Sequence, residues 1–275
     1  MRYLIVTADD LGLTKSINEG IAKACSEGVV TAVSVIPTGE AFEDAIKVMS
    51  CLPVKDIGAH LALTETTPLL SSSKFYKNHT NIFFSLVSGR INKEDIYQEL
   101  KAQLERLKKT GLKITHINSH EHVHLAPQVL DIFIRLAREY NIPAIRFPRA
   151  DRPPAFLSMR ENYRSILLSH FARRINNNLR DSGLAYTDFF IGLLDAGKLD
   201  IDKVKMIVGN LKEGVTELVT HPGFLSPEVL KYYKWHKGGE TELFALTDNR
   251  IKKAIRDNDV KLITYGELSS IKGRV

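Results

Sequence analysis

Residues 113–124 read Lys113-Ile114-Thr115-His116-Ile117-Asn118-Ser119-His120-Glu121-His122-Val123-His124. The first half is an apolar, β-branched run of strand character, and the second half is crowded with histidine. Four of the nine histidines in this 275-residue chain fall here. Imidazole is the commonest protein ligand for transition metals and titrates near neutral pH. A single histidine in such a run would be read as a satisfied core side chain. A cluster directly after a strand points instead to metal or acid–base chemistry at the strand's carboxyl end.

The same pattern recurs on both sides. Residues 2–8 form a buried strand that ends in Asp9-Asp10, and residues 14–28 carry Ile17, Ile21, Ala24 and Cys25 at helical spacing before Gly28. Residues 29–36 are a second strand closed by Pro37, and residues 57–63 a third with His60 inside it. A helix over 92–110 follows, with Ile96, Leu100, Leu104 and Leu107 on one face. Beyond the histidine cluster come a helix from Pro127 to Tyr140 and a short strand at Ala144–Phe147 that holds Arg146. Next are a strand over 186–191, a helix over 201–212, a strand at Glu217–Thr220 leading to His221-Pro222-Gly223, and a last strand at 261–264.

About eight strand–helix alternations over this length imply an α/β fold with a parallel sheet, closed into a TIM-like, irregular (β/α) barrel or left open and doubly wound. No shift in composition marks a boundary, so residues 1–275 are expected to form a single domain. Insertions are expected near 64–91 and 150–185, where the rhythm breaks. The segment 160–182 is basic and amphipathic, as suits either an ordinary packed helix or a lipid-facing surface.

Composition narrows the class. The chain is 44% hydrophobic and 25% charged, enough for a sizeable core. Its longest apolar runs are too short to span a bilayer, and the N-terminus meets Asp9 before a signal-peptide apolar region could form, so a cytoplasmic location is expected. Two cysteines, Cys25 and Cys51, make neither a disulfide framework nor a zinc knuckle and are expected to be buried thiols. The net charge of +6 is weak evidence for an anionic partner, and no basic stripe with interleaved aromatics suggests nucleic acid. A homo-oligomer is left open.

In parallel α/β folds the carboxyl ends of the strands build the active site. Asp9, Asp10, His60, His120, Arg146 and His221 all fall at those ends. Two adjacent buried carboxylates disfavour each other's ionisation unless a cation is near, which a metal would supply; helix capping by one of them is the plainer alternative. Asp10, His60 and His120 make a facial set of one carboxylate and two imidazoles with coordination positions left open, suited to one divalent ion such as Zn²⁺ or Mg²⁺. The second carboxylate can then act as a base. Arg146 can hold that carboxylate ionised through a bidentate contact, and His221 can protonate a leaving amine. His122 and His124 share a face with His120 if the strand continues through them, and His116 reads as structural.

The motifs Thr7-Ala8-Asp9-Asp10-Leu11-Gly12, Gly58-Ala59-His60-Leu61, Asn118-Ser119-His120-Glu121-His122-Val123-His124 and Thr220-His221-Pro222-Gly223 resemble the YdjC-like carbohydrate deacetylases, a family that includes chitooligosaccharide deacetylases and a hopanoid-biosynthesis branch. The resemblance implies a (β/α) barrel and metal-dependent removal of an N-acetyl group from an amino sugar, oligosaccharide or glycolipid. It implies metal ligands at Asp10, His60 and His120, a base at Asp9, and supporting roles for Arg146 and His221. Leu11 stands where the family usually has Phe, and Thr64-Glu65-Thr66 stands where a glycine is expected. Two other readings of the same residues are a phosphoesterase on a similar barrel, which would gather more than one metal, and a carbohydrate-binding relative without activity.

Overall fold

The computed structural model describes residues 1–71, 85, 92–147, 179, 182–192 and 195–272. Its strands are β1 (Arg2–Leu11), β2 (Ala32–Val35), β3 (Ile57–Leu61), β4 (Ile114–Ser119), β5 (Ala144–Ile145), β6 (Phe189–Ile191), β7 (Gly214–Thr220) and β8 (Val260–Leu262). Every pairing is parallel, in the order β5-β4-β3-β2-β1-β7-β6. The two ends of that order meet: Ala185 bridges Ala144 of β5, and three residues on Asp188 donates its N–H to Val215 of β7. The expected irregular barrel is therefore present. Its irregularity lies at β8, which is not inserted between β7 and β1. β7 pairs β1 directly over Arg2–Ala8, and β8 lies against Arg2–Leu4 on the opposite edge, below the β2 contact at Thr7–Leu11.

The helices are α1 (Lys15–Glu27), α2 (Phe42–Cys51), α3 (Lys93–Lys108), α4 (Pro127–Glu139), α5 (Ile201–Gly209), α6 (Pro227–Tyr232), α7 (Gly239–Thr247), α8 (Asn249–Asp257) and α9 (Tyr265–Lys272). Their starts follow from local chemistry. Thr14 caps α1 by accepting from Ile17 N, Asn92 caps α3, Asp200 caps α5, and Pro127 opens α4 at a position where a missing N–H costs nothing. Leu4, Val6 and Ala8 of β1 face the helices and join the main apolar core. Ile5, on the opposite face, joins Ala32, Ala144, Val215, Ile263, Tyr265 and Leu268 in a second cluster inside the barrel.

Several sequence expectations need correction. The second strand covers only Ala32–Val35 of the expected 29–36, because the Thr31 hydroxyl rather than a strand residue takes the Val6 N–H. β4 runs to Ser119 and then stops. The strand does not continue through the histidine cluster, because Glu121 and His122 adopt left-handed conformations (φ 50° and 53°) that turn the chain back. His122 and His124 therefore do not share a strand face with His120. Cys25 is buried, its thiol pushed up to about 12 by burial, but Cys51 is exposed at the end of α2. Apart from Leu179 and Ser182, the 160–182 segment lies outside the described residues, as does most of 64–91.

Candidate metal centre

The site is built by a break in strand alternation. Along β1, Ile5, Thr7 and Asp9 point into the barrel, so regular alternation would send Asp10 out toward the helices. Asp10 instead has φ 71°, and the register with β2 slips between Ala8 and Leu11. This bulge brings both carboxylates to the same side, as bulges beside active sites commonly do. The capping alternative falls away, since Thr14, not Asp9 or Asp10, caps α1.

One ligand atom from each of Asp10, His60 and His120 lies within 4.8 Å of the others, and all three residues are buried. Asp10 Oδ1 is 3.0 Å from His120 Nδ1 and 3.3 Å from His60 Nε2. Three donors this close, two imidazoles and one carboxylate, fit a divalent cation better than one another, because protons alone must then hold the cluster together. Burial disfavours charge at both partners of the Asp10–His120 pair, but their mutual attraction outweighs it. Asp10 is held well below the usual carboxylate range and His120 is pushed up to about 10.

Asp9, the neighbouring carboxylate, is also buried, at 1% exposed. Arg146 grips it with both terminal nitrogens, Nη1 donating to Oδ2 at 2.6 Å and Nη2 to Oδ1 at 2.9 Å. The same guanidinium donates to Glu217 Oε1 through Nε at 3.0 Å and Nη2 at 2.9 Å. Glu217 also accepts from the Thr7 and Tyr265 hydroxyls. Burial would raise the Asp9 pKa, but Arg146 and then His60 overcome it and hold Asp9 well below the ordinary range. Asp9 is thus ionised at neutral pH while remaining 3.9 Å from His60 Nε2, at the edge of the three-ligand set.

Asn118 lies beside His60, with its amide 2.6 Å from His60 Nδ1. With the amide oxygen toward His60, Nδ1–H donates to it and Nε2 is left as a lone pair for a metal. With the amide turned over, its oxygen accepts from Arg146 Nη1 and Nη2 at 3.2 and 3.0 Å and its nitrogen donates to His60 Nδ1. The second rotation satisfies the guanidinium; only the first prepares His60 as an Nε2 ligand.

The other predicted residues fall as follows. His221 follows β7, and its backbone N–H donates to the buried Glu242 carboxylate at 2.6 Å. Burial lowers its ring to about 4, and its Nδ1 is buried with no hydrogen-bond partner. His124 ties Ser119 Oγ to the Arg146 carbonyl, so it holds the turn after β4 against β5. His116 stacks on Tyr265 at 4.0 Å inside the barrel. His122 lies edge-on to Phe190 and next to the His124 ring.

Three residues beside this candidate set were given no role from the sequence. His236 Nε2 is 3.1 Å from Asp10 Oδ2, the oxygen facing away from the other ligands. Trp235 places its ring 5.7 Å from His120 and 5.3 Å from His221. Glu65 Oε2 lies 3.0 Å from His120 Nε2. His236 and Trp235 sit in a short three-ten turn (Lys234–Gly238) with no period to mark it. The one available signal was the cluster Trp235-His236 itself, an aromatic and a histidine in an otherwise polar loop.

Comparison with known proteins now bears on this geometry. Residues 3–257 match the family model described as YdjC-like protein. The chain belongs to the YdjC-like family. A protein of Brevibacillus brevis named carbohydrate deacetylase is 31% identical over 273 residues, covering 96% of this chain and 99% of its own length. One of Geobacillus stearothermophilus with the same name is 31% identical over 271 residues, covering 97% and 98%. A crystal structure from Enterococcus faecalis V583, provisionally named as a cellobiose-phosphate cleavage protein, superposes with a TM-score of 0.76 at 25% identity, covering 97% and 98% of the two chains. No helix among the described residues is long and apolar enough to cross a membrane.

Proposed function

We propose that this YdjC-like chain is a metal-dependent carbohydrate N-deacetylase that hydrolyses the acetamide of an amino sugar to acetate and a free amine. The observation that carries this reading is Asp9, a buried carboxylate clamped in its ionised form by Arg146 beside the Asp10, His60 and His120 ligand set. The deacetylases of similar sequence support the substrate class.

Asp10, His60 and His120 would hold one divalent cation; two imidazoles and a carboxylate suit zinc, and also magnesium where waters complete the shell. When bound, such an ion polarises the acetyl carbonyl and lowers the pKa of a water from about 15.7 to about 7. Asp9 supplies the base. Arg146 occupies one lone pair on each Asp9 oxygen, which orients the carboxylate and leaves its remaining lone pairs for the attacking water. As the water oxygen bonds to the acetyl carbon, its proton passes to Asp9. The C–N bond then breaks and the departing nitrogen takes a proton from His221. Burial keeps His221 neutral at rest, so the proton that Asp9 takes from the water passes on to His221 before the C–N bond breaks, and the departing nitrogen receives that same proton, leaving Asp9 ionised and His221 neutral again. Among the described residues one such ligand set is found, which favours a single ion over the multi-metal centre of a phosphoesterase.

The test is acetate release from N-acetylated mono- and oligosaccharides and glycolipids, with and without chelator. Release that stops with chelator and returns with added ion is the expected result. Sugar binding without acetate release from metal-loaded protein would identify a binding relative instead. Release that is indifferent to chelation would remove the metal from the reading.

A further inference from the structure

Glu65 lies outside the motifs that carry the family resemblance, in the stretch after β3 where a glycine is expected. It adopts φ 59°, and Thr66 N donates to Thr64 O at 2.7 Å across it. This two-residue-apart hydrogen bond around a left-handed centre is the form of the strained γ-turn. The turn is anchored from outside by the Thr66 and Thr38 hydroxyls at 2.8 Å. It aims the Glu65 carboxylate back at the site. One oxygen, Oε2, receives both the Trp235 indole N–H at 3.1 Å and the far nitrogen of His120 at 3.0 Å.

We propose that Glu65 is a positioning residue that makes His120 an Nδ1 ligand. An imidazole cannot offer a lone pair on the nitrogen that donates a hydrogen bond. Glu65 accepts the proton on Nε2, so the lone pair of the metal-loaded ring falls on Nδ1, the nitrogen 3.0 Å from Asp10 Oδ1. The carboxylate–histidine pair also raises the basicity of the ligating nitrogen and fixes the ring plane. Trp235 keeps the carboxylate from swinging away by donating to the same oxygen. Glu65 itself stays outside the three-ligand set, which holds only Asp10, His60 and His120. The proposal rests on the metal reading above.

The experiment measures Zn²⁺ affinity of the full-length protein by competition with a chromophoric chelator, for wild type, Glu65→Ala, Glu65→Gln and Trp235→Phe. Wild type should bind one ion. Glu65→Ala should lose about 10–100-fold in affinity, the usual effect of removing such a partner. Glu65→Gln should recover most of that loss, because a side-chain amide oxygen can accept both hydrogen bonds. Trp235→Phe should lose less than Glu65→Ala. In the Zn²⁺-loaded protein, ¹⁵N spectra of labelled histidine should show the His120 proton on Nε2 and the metal on Nδ1. Wild-type-like affinity in Glu65→Ala, or a metallated Nε2, overturns the proposal while leaving the metal centre in place. A wild-type protein that binds no ion removes the metal reading and this proposal with it.

Discussion

Replacing Arg146 with Met tests the buried charge arrangement most directly. The guanidinium is fully buried and makes four hydrogen bonds of 2.6–3.0 Å, two to Asp9 and two to Glu217. Met fills much of the same volume but leaves two buried carboxylates without their cation. Glu217 retains the Thr7 and Tyr265 hydroxyls, whereas Asp9 loses both of its Arg146 donors. Breaking a buried pair in this way costs about 3–5 kcal/mol, a large share of the roughly 5–15 kcal/mol that holds a typical domain. The sign of the pH dependence follows. Arg146 depresses the Asp9 pKa, so this stabilisation is fully present above the unfolded carboxylate value near 4 and is lost only as pH falls from there through the depressed folded value. Chemical denaturation of metal-free wild type and Arg146→Met at pH 7 and pH 4 should show a gap that narrows at the lower pH, because burial raises the pKa of the unpaired Asp9 in the variant and pH 4 relieves it by protonation. The variant should still bind the metal through its three intact ligands, yet lose about 10²–10⁴ in turnover as Asp9 takes up a proton. A stability loss below about 1 kcal/mol at pH 7, or one equal at both pH values, would refute the argument.

Three further outcomes are expected. Asp9→Asn should keep the metal, as elemental analysis would show, and lose about 10²–10⁴ in kcat; full turnover in this variant excludes Asp9 as the base. Gly58→Ala should destabilise by roughly 1–3 kcal/mol or block folding, because a Cβ there overlaps the His116 ring, coming within 2.6 Å of Cε1; thermal melting at wild-type temperature would contradict the packing of His116 against β3. In the metal-free protein, burial lowers His124 to about 3 from the ordinary 6.5, with the Arg146 charge adding to it. The folded form then favours neutral His124, so stability is complete above about pH 6.5 and lost toward pH 3, by at most about 5 kcal/mol. A His124→Gln variant should show a flatter acid limb in denaturation, and an unchanged limb would count against the assignment.

How much of this was legible beforehand varies with the kind of physical signal. The alternation of β-branched runs with amphipathic helices made the parallel α/β barrel readable, because burial on a strand or helix face must repeat with the period of that element. It also placed Asp9, Asp10, His60, His120, Arg146 and His221 at strand carboxyl ends, since parallel strands all finish at one side of the sheet. What the strings of residues did not carry was direction. Asp10 joins Asp9 only because its backbone turns left-handed at a bulge, and neither propensity nor periodicity marks that position. The condition for His122 and His124 to share a face with His120, a strand running through them, is not met for the same reason, since two left-handed residues follow β4.

The sequence by itself determined the fold class and the set of ligand-capable side chains, because both depend on residue type and spacing along the chain. Only the tertiary structure decided which atoms face one another. It brought Arg146, just past β5, onto Asp9 of β1, Glu65 and His236 from separate turns onto His120 and Asp10, and His116 into the barrel beneath Gly58. These are long-range contacts between short irregular segments. Their geometry is set by how the barrel closes, and no local period in the chain records it.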